Sequence, residues 1–406
     1  MKRSSRMLWA HIPFFGYLLT LGLPGLAFTN DPMWLFTHIL LLGAITNLIF
    51  FWSSHFTQTL LRRPSKEDGL NFWLRLSVLN VGILFTLVGK STELSPLLLA
   101  GTTIVIASAL THGLLIIAEI RIALPARFKK IPRFYVAALF CLSIGAGIGF
   151  KMSQIEDSDF KSRLLLIHYS LNILGWVGVT IAGTVVTFLP TMQRVRLPEN
   201  AEKYAYKAFY LLLSGILVVV LALSFSSKVI VAVGLLIYCL GWILLITPHV
   251  SSLRSKKTKS FSVNSAIAVF FWLFVSLLAS IYQLIQSSSW STFMGNIEHF
   301  SFYLGIGFAL QMGFAALHYL VPTMFGGGPT NVRELILIGS KFTNTRLFTL
   351  NLGTLLIGFS HHKVLFISGC TFLVVALLLN IGILSHLIRK GVLSNSSNSV
   401  LKKVRR

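Results

Sequence analysis

Apolar runs of about 20 residues recur along the whole of this 406-residue chain. A run of that length crosses the hydrocarbon core of a bilayer as one helix, because in lipid each backbone N–H and C=O must find its partner inside the segment. Twelve runs qualify, over 7–28, 33–56, 71–89, 96–119, 134–151, 164–190, 206–225, 229–247, 263–286, 299–322, 345–360 and 364–388. The eleventh is the shortest and ends in SHHK. The sequence therefore predicts an all-α, multi-pass protein of the cell membrane, whose main partner is the lipid bilayer. With 54% hydrophobic and 12% charged residues, the chain is more apolar than a soluble core of this size requires.

The first run follows MKRSSR, contains His11 and Pro24, and has no A-x-A-like cleavage site, so it is expected to stay as a helix. No stretch outside the runs exceeds about 25 residues, which predicts one membrane domain over 1–390. The tail 391–406, GVLSNSSNSVLKKVRR, has the composition of a disordered or membrane-surface segment.

A net charge of +23 raises the question of nucleic acid, and the placement of the charge answers it. If the N-terminus is cytoplasmic, 28 Lys and Arg fall in the inner segments and 6 in the outer ones, with Arg75 inside a helix. LRRPSK (61–66), RFKKIPR (127–133) and KKVRR (402–406) are typical of the inner side. Such a bias orients both termini to the cytoplasm and offers contacts to anionic lipid; no nucleic-acid partner is implied. Cys141, Cys239 and Cys370 all lie within runs and form no C-x-x-C, as expected of small core residues.

A repeat emerges from the histidines. His38, His168 and His299 are 130 and 131 residues apart, in the outer parts of the second, sixth and tenth runs. Each precedes a glycine by five to seven residues, at Gly43, Gly175 and Gly305. The sixth run ends in FLPTM (188–192) and the tenth in YLVPTM (319–324), with proline 22 and 23 residues after the histidine. The pattern predicts three four-helix arcs, about 1–130, 131–260 and 261–390, related by a pseudo-threefold axis. Imidazole is costly in a membrane and is a common metal and haem-iron ligand, which makes the three histidines candidate cofactor residues.

Other polar signals are weaker. His55, in WSSHF where the second run exits inward, and His112, in THG of the fourth, are candidates for a second metal site. Gly145, Gly147 and Gly149 suit close helix packing. FGGGPTNVRE (325–334) lacks the G-K-[ST] of a phosphate loop and is expected to be a turn. Carboxylates are scarce within the runs, against the pattern of proton pumps and proton-coupled transporters.

Twelve helices, inside termini, three four-helix blocks and outer histidines on helices 2, 6 and 10 resemble subunit I of the haem–copper oxidase superfamily. Within that superfamily the chain looks closer to two divergent non-oxidase branches, the NnrS-like haem- and copper-containing proteins and the membrane region that precedes actinobacterial multicopper-oxidase domains. The phrases HYSLNILGWVGVTIAGTVVTFLPTMQR and YLVPTMFGGGPTNVR look like the second of these. The resemblance implies that His38 and His299 hold a haem, that His168 stands at a copper-ligand position, and that a cupredoxin, multicopper oxidase or cytochrome is a partner. It also implies what is missing. His299 is followed by Phe300 and Ser301 rather than by a second histidine one residue on; His168 is followed by Tyr169, Ser170 and Leu171 instead of Pro-Glu; the helix-7 histidine pair is absent. A complete dioxygen-reducing centre is not expected. The leading expectation is a membrane haem- or copper-binding protein in redox, copper or nitrogen-oxide handling. A 12-helix secondary transporter is the alternative, although two six-helix halves would give a repeat near 200 residues instead of 130.

Overall fold

The computed structural model describes residues 10–21, 30–63, 69–156, 158–255, 260–325, 328–359 and 362–404. Among them there are helices and no strand. Ten helices are long and apolar enough to cross a membrane. They are α2 (Pro32–Leu60), α3 (Asn71–Ser91), α4 (Ser95–Ile122), α5 (Pro132–Met152), α6 (Asp159–Gln193), α7 (Ala201–Ser224), α8 (Lys228–Leu253), α9 (Phe261–Gln286), α10 (Phe300–Phe325) and α12 (Lys363–Val392). Two of the twelve expected spans are shorter helices among the described residues: α1 (Ile12–Thr20), beside residues outside the described set, and α11 (Thr343–Ile357). The backbone of α12 continues as helix to Val404. The segment expected to be a turn at 325–334 instead carries a short helix, Pro329–Gly339. Pro329 occupies its first turn, where a missing N–H costs nothing, and Leu335 and Gly339 supply its buried face.

The chain falls into two compact units. One comprises Pro13–Ser255 and Phe274–Glu298; the other comprises Met1–Ile12, Lys256–Leu273 and His299–Arg406. The helices are unequally buried. In α6 and α10 the most apolar window is 89% and 83% buried, and in α2 56%, whereas none of the others exceeds 44%. The helices at the three repeated positions, α2, α6 and α10, are therefore the most enclosed by protein, and the rest expose many Leu, Val, Ile and Phe side chains.

The same three helices share a backbone feature. Each contains a π-helical stretch, with the wider i→i+5 bonding that is rare and favours functional sites. The stretches are Ile39–Ile45 in α2, Ser170–Val179 in α6 and Tyr303–Leu310 in α10. A glycine in each lies hard against a side chain of the preceding helix. A Cβ at Gly43 would come within 2.7 Å of Tyr17, at Gly175 within 2.6 Å of Cys141, and at Gly307 within 2.5 Å of Trp272.

The last two helices of each predicted arc pair through small residues. Gly82 lies against α4 at Val105 N, Gly215 against α8 at Tyr238 N, and Gly353 against α12 at Leu373 N. Absent side chains let these backbones approach, which is how helices associate where lipid supplies no hydrophobic drive.

Candidate functional site

Within the first unit, α2 and α6 bring His38 and His168 together. Their ring centroids are 6.1 Å apart, with an interplanar angle of 28°. Each ring is anchored by the same bond. His38 Nδ1–H donates to the Trp34 carbonyl at 2.7 Å, and His168 Nδ1–H donates to the Gly145 carbonyl at 2.7 Å. A carbonyl can only accept, so both imidazoles carry their proton on Nδ1 and keep an Nε2 lone pair; at His168 the 2.7 Å bond to Gly145 outweighs the Asn172 amide nitrogen, 3.3 Å from the same Nδ1. Trp34 lies parallel to His38 with centroids 4.1 Å apart, leaving that ring little freedom to turn.

The glycines of α5 build the His168 side. A Cβ at Gly149 would be 2.7 Å from His168 Nδ1 and Cε1, and one at Gly145 would be 2.5 Å from Asn172 Nδ2. The Asn172 amide donates to the His168 carbonyl at 2.8 Å, one turn along α6. Gly145 and Gly149 thus serve the imidazole, while Gly147, whose Cβ would meet nothing nearer than 4.0 Å, does not.

Metal chemistry sets a test for this pair. An imidazole nitrogen lies about 2.0–2.1 Å from a bound first-row metal, which puts the centres of two rings sharing one ion roughly 5–6.5 Å apart. The observed 6.1 Å is inside that range. Among the described residues no three His, Cys, Asp or Glu side chains gather in a metal-holding group. Imidazole without carboxylate or thiolate suits copper, iron or haem iron better than magnesium or calcium. His299 lies on the helical backbone Trp290–Phe302 that leads into α10, but its side chain lies outside the described residues, as do residues 360 and 361, including His361. Also in α10, Gln311 is wholly buried with neither amide atom hydrogen-bonded, and Thr180 Oγ1 in α6 is likewise buried and orphaned. Both immediately follow π stretches.

The inner candidates are arranged differently. His112 is buried and stacks on Phe50 at 4.7 Å. Its Nε2 is 2.9 Å from Ser53 Oγ, and Arg75 Nη1 donates to its Nδ1 at 3.3 Å. Both nitrogens are occupied, so His112 has no lone pair for a metal. His55 packs among Phe51, Trp52 and Phe56. Ser53 and Arg75 are polar partners of His112.

Sequence reading passed over a second cluster of this kind, in the other unit. Arg346 on α11 is 0% exposed. Its Nε and Nη2 donate to Asn380 Oδ1 at 3.1 and 2.7 Å, its Nη1 to the Gly339 and Lys341 carbonyls at 2.8 and 3.2 Å, and its Nη2 also to His318 Nε2. The guanidinium lies 3.6 Å from the Phe261 ring centroid, and His318 Nδ1 donates to the Phe314 carbonyl at 2.9 Å. A signal for it was present. RLSVLNVGIL (75–84) recurs as RLFTLNLGTL (346–355), so Arg75 and Arg346, Asn80 and Asn351, and Gly82 and Gly353 fall in register. Asn80 pairs reciprocally with Asn47, and Asn351 accepts from Trp272 Nε1 at 2.7 Å. No family model matches the chain, and no curated protein sequence matches it.

Proposed function

We propose that this is a membrane redox or metal-handling protein that holds copper or haem iron through outer-layer histidines, in a divergent, non-oxidase relative of haem–copper oxidase subunit I. One observation carries the reading: His38 and His168 sit 6.1 Å apart, each locked by an Nδ1–H bond to a backbone carbonyl. That is the second-shell arrangement that orients ligating histidines and raises their basicity. His318 makes the same Nδ1–H bond, but its Nε2 is taken by Arg346, whereas at His38 and His168 the Nε2 lone pair is kept. The orphaned Gln311 amide adds weight, because an unpaired buried polar group costs about 1–3 kcal/mol unless a bound group completes it.

The same reading takes the chain as twelve spans in three four-helix arcs with both termini cytoplasmic. It is supported by π stretches that begin one, two and four residues after His38, His168 and His299. It is further supported by the repeated glycine contacts and by the charge bias of the loops. His38 and His168 would hold a copper ion, or His38 would hold a haem iron. Either group supplies one-electron exchange. The chain's own contribution is a fixed imidazole tautomer and an apolar surround.

Metal analysis and an optical spectrum of the purified, detergent-solubilised protein test this. A copper ion on the pair is lost in both His38→Ala and His168→Ala. A haem held by His38 would give a Soret band that shifts or is lost in His38→Ala and is unchanged in His168→Ala. Full-length protein with neither metal nor Soret band after expression with added copper and haem precursor defeats the proposal. The transporter reading then takes its place.

A further inference from the structure

Outside the histidine site, the first unit contains a cavity of about 450 Å³ at the α4–α5 loop and the start of α7. Arg127, Lys129, Lys130 and Arg133 line it together with one carboxylate, Glu202. The loop is held in shape by its own charges. Lys129 Nζ donates to the Ala123 carbonyl at the end of α4 at 2.7 Å. Lys130 Nζ lies 4.6 Å from the Tyr206 ring centroid, and the Arg127 guanidinium lies 5.3 Å from that of Phe128. Arg127, Lys130 and Arg133 remain exposed. Four cations around one concavity repel one another, and Glu202 offsets a single charge. Topology signalling needs cations near a helix end, not a pocket among them.

The surroundings identify the ligand. Exposed apolar and aromatic side chains stand on the same elements as the basic pocket, with Ile122 59% exposed at the end of α4, Leu124 81% exposed just beyond it, and Tyr210 51% exposed on α7. Tyrosine is enriched where proteins meet the membrane–water interface. A soluble phosphate needs only the cations, whereas a lipid needs cations for its headgroup and an adjoining apolar flank for its chains. We infer that this pocket is a binding site for the phosphate headgroup of an anionic phospholipid. Lys129 and Lys130 act as point charges, and Arg127 and Arg133 supply guanidinium forks that match phosphate oxygens.

Native mass spectrometry of the full chain, titrated with phosphatidylglycerol, phosphatidylcholine or inorganic phosphate, tests the site. The expected result is retention of phosphatidylglycerol over phosphatidylcholine, with inorganic phosphate failing to compete at millimolar concentration. Each cation near the headgroup contributes about fivefold. Arg127→Gln, Lys130→Gln and Arg133→Gln together should therefore weaken retention on the order of 100-fold. The triple change Arg62→Gln, Arg196→Gln and Lys341→Gln removes equal charge elsewhere and should leave retention intact. Equal losses in the two triples, displacement by inorganic phosphate, or no preference over phosphatidylcholine would each overturn the assignment. Should the pocket triple fail to fold, Glu202→Gln decides: removal of the carboxylate should raise retention a few-fold, and an unchanged or lowered value counts against the site.

Discussion

The His38–His168 pair and the His318–Arg346 cluster use the same side chain to opposite ends. At His318 both ring nitrogens are committed, Nδ1 to the Phe314 carbonyl and Nε2 to the guanidinium. At His38 and His168 only Nδ1 is committed, and each Nε2 lone pair is kept. Arg346 in turn has every N–H accepted by a neutral partner. The comparison teaches that burial of a histidine in a membrane helix is not by itself a mark of metal chemistry. Which nitrogen remains available is what separates a ligand from a staple.

Arg346→Ala should break the staple with the largest effect. It strands His318 Nε2, Asn380 Oδ1 and two carbonyls in a buried site, and loss of one partner of such a network costs about 3–5 kcal/mol. A drop in thermal midpoint of the purified protein, with metal content per folded molecule unchanged, is the expected result. Loss of metal in step with Arg346 would join the two regions that the comparison separates. Arg346→Lys should rescue only part of the stability, since an ammonium cannot reproduce the guanidinium fork.

Gly149→Ala tests the other region from behind. Its Cβ would overlap the His168 ring at 2.7 Å, and forced repacking of this kind typically costs about 1–3 kcal/mol. Because the displaced group is a proposed ligand, metal affinity should fall about 10–100-fold, the usual consequence of disturbing a ligand's support. Metal titration of the variant measures it. A fall in stability without a fall in affinity would make His168 a packing residue.

His38→Ala should cost only about 1 kcal/mol, the worth of one hydrogen bond, while removing the metal. His318→Ala should do the reverse, destabilising by about 1–3 kcal/mol because it leaves the guanidinium one acceptor short, with no effect on metal. Gln311→Leu distinguishes an orphan from a contact. With no bound group it should leave stability unchanged or slightly higher, and with one it should lower that group's retention in a dilution assay. The smallest effect belongs to Gly147→Ala, expected within about 0.5 kcal/mol of the parent, since open space faces that position.

Much of the architecture was legible from residues alone. The ten membrane-length helices fall within a few residues of runs read from hydropathy, because hydrogen bonding inside lipid leaves an apolar segment of that length no other regular structure. The α11 region was legible only in part. Its charge was counted with the inner loops, yet Arg346 is fully buried beneath Phe261 and Asn380. The matching phrases at 75–84 and 346–355 would have corrected that reading, had repeats been sought beyond the histidines.

By itself, then, the sequence determined an all-helical chain with membrane-length apolar helices, and singled out His38, His168 and His299 by their spacing. Hydropathy and spacing are properties of single segments, and a single segment must satisfy its own backbone in lipid. Tertiary structure decided the π stretches, the 6.1 Å approach of the two rings and the tautomer each adopts. His38 finds its carbonyl on Trp34, one turn back in its own helix, but His168 depends on Gly145 of α5, and His112 on Ser53 of α2 and Arg75 of α3. A histidine's chemistry is set by which of its two nitrogens another group has already claimed, and where that group lies on another helix the residue order of a single segment does not record it.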